Sequence, residues 1–236
     1  TPSIAPLPNS SGVFDNFFEL GGDSILSIQV ITRAREAGIT IKPKQLFQNP
    51  TISGLASVAT IQTSVAPERG SLTGPVPLGP VQKWFFEKNF ADPHHWNQAF
   101  VFEASGGLDR ERLESAIATV MNHHDALRMR FRREDAHWTQ HYAAAQSNAP
   151  LDWIDFSDVP DSEMGSAIEQ SVTVAQSTLN LDSGPLLRVL YFDCGPVRSP
   201  RLAWICHHLV MDGVSWRILL EDLDSAYRQL ERKVQV

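Results

Sequence analysis

Two adjacent histidines, an aspartate and a glycine fall within one short stretch, His207-His208-Leu209-Val210-Met211-Asp212-Gly213. Histidine is the side chain whose unperturbed titration lies in the physiological range, and the connection after a strand is where acid/base groups are commonly mounted. The flanks supply that setting. Trp204-Ile205-Cys206 is an apolar run suited to a buried strand, and an amphipathic helix follows from Ser215. If the histidines end a strand, their side chains point to opposite faces, and no third ligand is evident, so no metal is expected there. Ser215 lacks the turn of a serine-hydrolase nucleophile. A second reactive candidate is Ser24, placed after Gly21-Gly22-Asp23. The doublets His94-His95 and His123-His124 have no trailing Asp-Gly and read as partly buried surface histidines.

The elements that must hold these groups follow from pattern. Asp23 is a natural N-cap for a helix over 24–37, with apolar residues at helical spacing and Gly38 as its stop. Residues 43–48 form a single helical turn, and Asn49-Pro50-Thr51 caps a helix over roughly 52–61. Residues 63–77, rich in Pro, Gly, Ser and Thr, read as a linker. Beyond it, Leu78 to Glu87 is a helix with an aromatic face. A strand ends at Glu103, and Asp109 caps a helix through Met121. Strands are expected at 126–132, 137–142, 151–156, 186–192 and 201–206, with helices at 161–179 and 215–233. Strands mixed with helices in this order imply an α/β sandwich, a sheet covered by helices.

Bulk properties exclude several classes. The chain has 236 residues and a net charge of −7, so an electrostatic footprint for nucleic acid is not expected. No apolar run reaches the length of a membrane span and no secretory signal opens the chain, so no membrane partner is expected. Cys194 and Cys206 are the only cysteines, both in apolar strand-like runs, as for two reduced buried thiols in a cytoplasmic protein.

The stretch Phe17-Phe18-Glu19-Leu20-Gly21-Gly22-Asp23-Ser24-Ile25, followed by LFQNPTI, resembles the attachment motif of peptidyl carrier proteins. The resemblance implies a small all-α helical bundle over 1–62, with 4'-phosphopantetheine carried covalently on Ser24. Members of that family open with an amphipathic helix, whereas residues 1–13 hold three prolines, so that first helix is apparently missing. Three further motifs, PLGPVQKWFFE, HHDALRMRF at 123–131 and CHHLVMDGVSWRILLEDL, resemble the epimerization domains of nonribosomal peptide synthetases. Residues 78–236 would then be the N-terminal lobe of an α/β fold like that of chloramphenicol acetyltransferase, in which two lobes enclose a tunnel.

That resemblance makes His208 the acid/base residue and gives His207 a part in orienting the loop. Asp212 is either a carboxylate that orients the histidine or, as preferred, the partner of Arg128 in a buried ion pair that fixes the loop. Gly213 is expected to adopt a backbone conformation other residues resist, and Trp216 to be either a tunnel wall or an ordinary core residue. The implied reaction inverts Cα of an aminoacyl or peptidyl thioester. Its second proton-handling group would be a glutamate of the other lobe. Implied partners are a phosphopantetheinyl transferase, an upstream adenylation domain and a downstream condensation domain. Two alternatives stay open: a condensation domain using the same histidine to form peptide bonds, and a non-catalytic carrier and docking unit.

Overall fold

The computed structural model describes residues 12–61, 70, 72–104, 106–135 and 137–232. The chain divides into two units, residues 1–68 and 69–236. The expectation that a first helix is missing falls on residues 1–11, which lie outside the described residues.

In the smaller unit α1 (Ser24–Glu36) leads through β1 (Ile39–Thr40), α2 (Pro43–Gln48) and α3 (Ile52–Val58) to β2 (Thr60–Ile61). The carboxylate of Asp23 accepts the Leu26 N–H at 2.8 Å, which caps α1. Gly38, at φ +77°, ends it in the left-handed turn that glycine tolerates. The helix expected through residue 61 stops at Val58. The β-branched Thr60 and Ile61 pair antiparallel with Thr40 and Ile39 instead, so the described residues of the unit form three helices with a two-residue ladder. Leu46 is fully buried at its centre. The Phe-rich loop is tied to α3 by the Phe17 N–H to the Pro50 carbonyl at 2.7 Å and the Ser53 N–H to the Val13 carbonyl at 2.9 Å.

The larger unit runs β3 (Gly74–Val76), α4 (Pro80–Glu87), β4 (Asn97–Glu103), α5 (Arg110–His123), a 3₁₀ turn (Asp125–Arg128), β5 (Met129–Glu134), β6 (His137–Tyr142), β7 (Leu151–Asp155), α6 (Asp161–Gln176), β8 (Leu187–Asp193), β9 (Arg201–His207) and α7 (Ser215–Glu231). Two expectations are corrected here. Residues 74–76, read as the end of a linker, form β3, paired with β6 in a three-stranded sheet of order β3-β6-β5. The strand expected from residue 126 begins at Met129, because 125–128 wind into the 3₁₀ turn that closes off α5.

The principal sheet has the order β4-β9-β8-β7, with β7 parallel to β8 and the other pairs antiparallel. Alternation along β8 and β9 decides what covers each face. Leu187, Val189, Tyr191, Leu202, Trp204 and Cys206 pack with α5 and α7, while Leu190, Phe192, Ala203 and Ile205 pack with α6. Both faces are therefore buried, which is why β8 and β9 read as near-continuous apolar runs. Helix α5 contributes Leu113, Ile117 and Val120, and α7 contributes Trp216, Leu219 and Leu223, each set at helical spacing. Cys194 and Cys206 are free and buried. Burial pushes the Cys206 thiol far above its usual range, so it is not a nucleophile.

Candidate functional site

The histidine doublet leaves the C-terminal end of β9, an interior strand of the principal sheet. His207 is the last strand residue, in register with Asn97 of β4. The His208 N–H continues the contact by donating to the Trp96 carbonyl at 2.7 Å. The turn that follows is set by the sheet, so the histidine's backbone is anchored on an element with little freedom.

The two rings do different things. His207 is fully buried. Its Nε2 lies 2.9 Å from the Pro93 carbonyl, which only accepts, so Nε2 carries the proton. Its Nδ1 then accepts the Leu209 N–H at 3.2 Å. Burial is the main reason its pKa falls to about 4, well below the ordinary value of 6.5, so it stays neutral and serves as a pin between the 93–96 segment and the turn. His208 is only half-buried. Its Nδ1 is 2.6 Å from the Met211 carbonyl and its Nε2 is 3.3 Å from the side-chain nitrogen of Gln98. The Trp96 ring lies against it with centroids 4.5 Å apart. Trp96 in turn stacks on Phe85 at 4.7 Å, and Phe85 meets the edge of His207 at 5.8 Å. The aromatic face of α4 thus backs the doublet, which gives the opening PLGPVQKWFFE motif a structural role.

Asp212 and Arg128 do not pair. Asp212 Oδ1 accepts the Val214 N–H at 3.1 Å, the Ser215 N–H at 2.8 Å and the Ser215 hydroxyl at 2.7 Å. These bonds, chiefly those from Ser215, hold its carboxyl below the usual range, and neighbouring His208 adds a smaller share. Arg128 is buried under the 3₁₀ turn and pairs with Asp125. It also donates to the carbonyls of Met121, Asn122, Ala143 and Leu72 at 2.7–3.3 Å. The guanidinium collects the carbonyls left over where α5 ends, a task close at hand in sequence, rather than reaching the loop after β9. Gly213 is the second correction. Its φ is not positive, and an added Cβ would meet nothing within 4 Å, because the Asp212 hydrogen bonds shape this turn.

Of the two roles left open for it, Trp216 is a core residue in this structure. It is buried in the core against α5, and its outer edge lines an open apolar groove of about 480 Å³ with Phe100, Phe102 and Gly213. Its indole N–H donates to Oε1 of Gln98 at 2.6 Å. Neither Gln98 nor Trp96 stands out in the sequence. The signal is the polar pair Asn97-Gln98 opening an otherwise apolar strand, with Trp96 just ahead of it. His94 is half-buried and accepts the Leu181 N–H, while His95 is exposed. His124 Nε2 lies 2.7 Å from Asp222 Oδ2, a latch between α5 and α7, with His123 beside it.

Ser24 is exposed at the first position of α1. Gly21, at φ +91°, adopts a left-handed conformation that glycine tolerates, with nothing within 4 Å of its missing Cβ. Gly22 is tight: an added Cβ would run into both the ring and the carbonyl of Phe17. A phosphodiester on this serine would lie at the N-terminus of a 13-residue helix, where its charge is favoured. The residues present therefore fit a phosphopantetheine attachment.

Comparison with known proteins assigns a family to each of the two regions. The family described as a condensation domain matches residues 73–236, and the phosphopantetheine attachment site family matches residues 3–58. A linear gramicidin synthase of Brevibacillus parabrevis is 50% identical over 227 residues, 95% of this chain but 4% of that protein's length. Tyrocidine synthase 2 of the same organism is 43% identical over 225 residues, 92% of this chain and 6% of that one. Among solved structures, the epimerization domain from the third module of tyrocidine synthetase B is 37% identical with a TM-score of 0.64, covering 73% of this chain and 38% of that one. The starter condensation domain of rhizomide synthetase shares the fold at 21% identity, with a TM-score of 0.58 over 69% of this chain and 39% of that one.

Proposed function

Because this chain belongs to the condensation-domain family and carries a phosphopantetheine attachment site ahead of that domain, we propose that it acts in nonribosomal peptide synthesis as a carrier joined to half of an epimerization active site. The observation that carries the acid/base assignment is the environment of His208. Its Nδ1 faces the Met211 carbonyl, which leaves Nε2 with the lone pair on a ring that is half-buried rather than sealed. Two features favour epimerization over condensation: the run Asp212-Gly213-Val214-Ser215-Trp216-Arg217 and the 37% identity to a solved epimerization domain.

The attached arm supplies a thiol that presents an aminoacyl or peptidyl group as a thioester, whose α-proton is more acidic than that of an amide. His208 removes that proton through Nε2, while Nδ1–H stays bonded to the Met211 carbonyl and holds the ring in place. His207, neutral and pinned, adds no positive charge beside the base. Charge developing on the thioester oxygen needs donors aimed at it. Return of a proton to the opposite face needs a second group, which the family resemblance assigns to a glutamate of the second lobe. The partners that follow are a phosphopantetheinyl transferase, an adenylation domain that loads the arm, and a condensation domain that accepts the product.

The test is α-proton exchange in D₂O, followed by mass spectrometry, with the chain supplied with a complete second lobe and loaded at Ser24. Deuterium at Cα that disappears with His208→Ala supports epimerization with His208 as the base. Loading without exchange, followed by peptide transfer to a downstream acceptor carrier, would replace it with condensation. Ser24→Ala is the control for the carrier: it should abolish loading, and a loaded Ser24→Ala protein would remove the attachment assignment.

A further inference from the structure

Gln98 has no assigned role, yet it stands between Trp216 and His208. An indole N–H can only donate, so the contact at 2.6 Å from Trp216 Nε1 identifies the Gln98 atom it meets as the carbonyl oxygen Oε1. The amide's other end, an NH₂ that can only donate, is then the group 3.3 Å from His208 Nε2. A donor facing Nε2 requires a lone pair there. On the far side of the ring the Met211 carbonyl, which can only accept, faces Nδ1 at 2.6 Å and requires a proton there. Both neighbours select the same tautomer, and the selection traces back to a group with no alternative orientation, the indole N–H.

The supports of this relay are rigid. Gln98 sits on β4 in register with Cys206 of the interior strand β9. Trp216 is buried at the start of α7, and its ring meets Phe100 edge-on at 4.9 Å. The amide is thus clamped between a strand and a helix that are packed on each other.

We propose that Gln98 is a positioning residue, oriented by Trp216, that holds His208 in the Nδ1–H tautomer with Nε2 as the free base. Its importance for turnover rests on the role given to His208 above. The tautomer itself does not, and it can be measured without catalysis.

The experiment is long-range ¹H–¹⁵N correlation NMR of the ¹⁵N-labelled 236-residue chain at neutral pH, with the His208 ring assigned by its loss in His208→Ala. The expected wild-type pattern is a protonated, pyrrole-type Nδ1 and a pyridine-type Nε2. Gln98→Glu presents only acceptors to both Trp216 and His208, so it should draw a proton onto Nε2 and shift that nitrogen to the protonated position. Trp216→Phe frees the amide to turn, so the two ring nitrogens should move toward averaged values. Gln98→Met removes the donor while keeping the volume and is the variant to use if the glutamate disturbs folding; with the Met211 carbonyl still facing Nδ1, it should move the two nitrogens part of the way toward averaged values. A wild-type ring protonated on Nε2 overturns the proposal outright. So does an unchanged His208 pattern in Gln98→Glu or Gln98→Met variants whose remaining histidine signals match wild type. If the tautomer responds as described but α-proton exchange is absent, the positioning role stands and the epimerization reading falls.

Discussion

Replacing Arg128 by methionine tests the ion-pair geometry directly, since methionine keeps much of the buried stem and deletes the charge. In the structure the guanidinium is 1% exposed and serves Asp125 and the carbonyls of Met121, Asn122, Ala143 and Leu72. Removing one partner of a buried pair costs about 3–5 kcal/mol. Asp125 is 28% exposed and can regain water, which places the expected loss near the lower end, about 3 kcal/mol. For a unit of this size about 1 kcal/mol moves Tm by roughly 2–4 °C, so the drop should be roughly 6–12 °C. All six tryptophans lie in the 69–236 unit, so tryptophan fluorescence during thermal or urea unfolding reports on that unit alone. A double-mutant cycle then identifies the partner. Arg128→Met with Asp125→Asn should show a coupling of about 1.5–3 kcal/mol, the range for a charge-assisted hydrogen bond. Arg128→Met with Asp212→Asn should be additive to within about 0.5 kcal/mol. Coupling to Asp212 larger than coupling to Asp125 would refute the reasoning and restore the pair expected from the sequence.

Further outcomes follow from the same contacts. His207 titrates near pH 4 when folded and near 6.5 when unfolded, so below about pH 6.5 the unfolded chain takes up a proton that the fold refuses. Stability should therefore fall as pH drops from 6.5 toward 4, by about 3 kcal/mol from this residue, and level off below. His207→Gln, which has no proton to gain, should flatten urea-unfolding stability across that window, and an undiminished slope would show that the buried ring is not its source. Gly22→Ala should destabilise the smaller unit by about 1–3 kcal/mol, because its Cβ drives into Phe17, read as faster amide hydrogen exchange over residues 12–61. Gly213→Ala should leave stability within about 0.5 kcal/mol of wild type, since the position is open and its φ is ordinary; a larger loss in a urea titration would contradict the turn described here.

Much of the site is legible in the sequence because its information is local. The helix cap at Asp23, the stop at Gly38 and the strand-turn-helix around His208 each depend on neighbours a few residues away, and pattern captures them. The departures share a cause. Pattern carries α3 three residues too far because Thr60 and Ile61 find partners in Thr40 and Ile39, a pairing that no window of local sequence contains. β3 hides in a stretch whose composition is that of a linker, because an edge strand of three residues is held by its partner β6 and not by its own propensity.

By itself the sequence determined the two units, the candidate groups Ser24 and His208, and the apolar runs that become β8 and β9. Burial and periodicity are properties of residue type, so they are written in the chain. Partner choice among polar groups was decided only by the tertiary structure. Arg128 serves the end of α5 instead of Asp212, Asp212 shapes its own turn, and Gln98 reaches Trp216 and His208 across more than a hundred residues. Hydrogen bonds act over about 3 Å and depend on angle. Which donor meets which acceptor is therefore settled by strand register and helix packing rather than by composition.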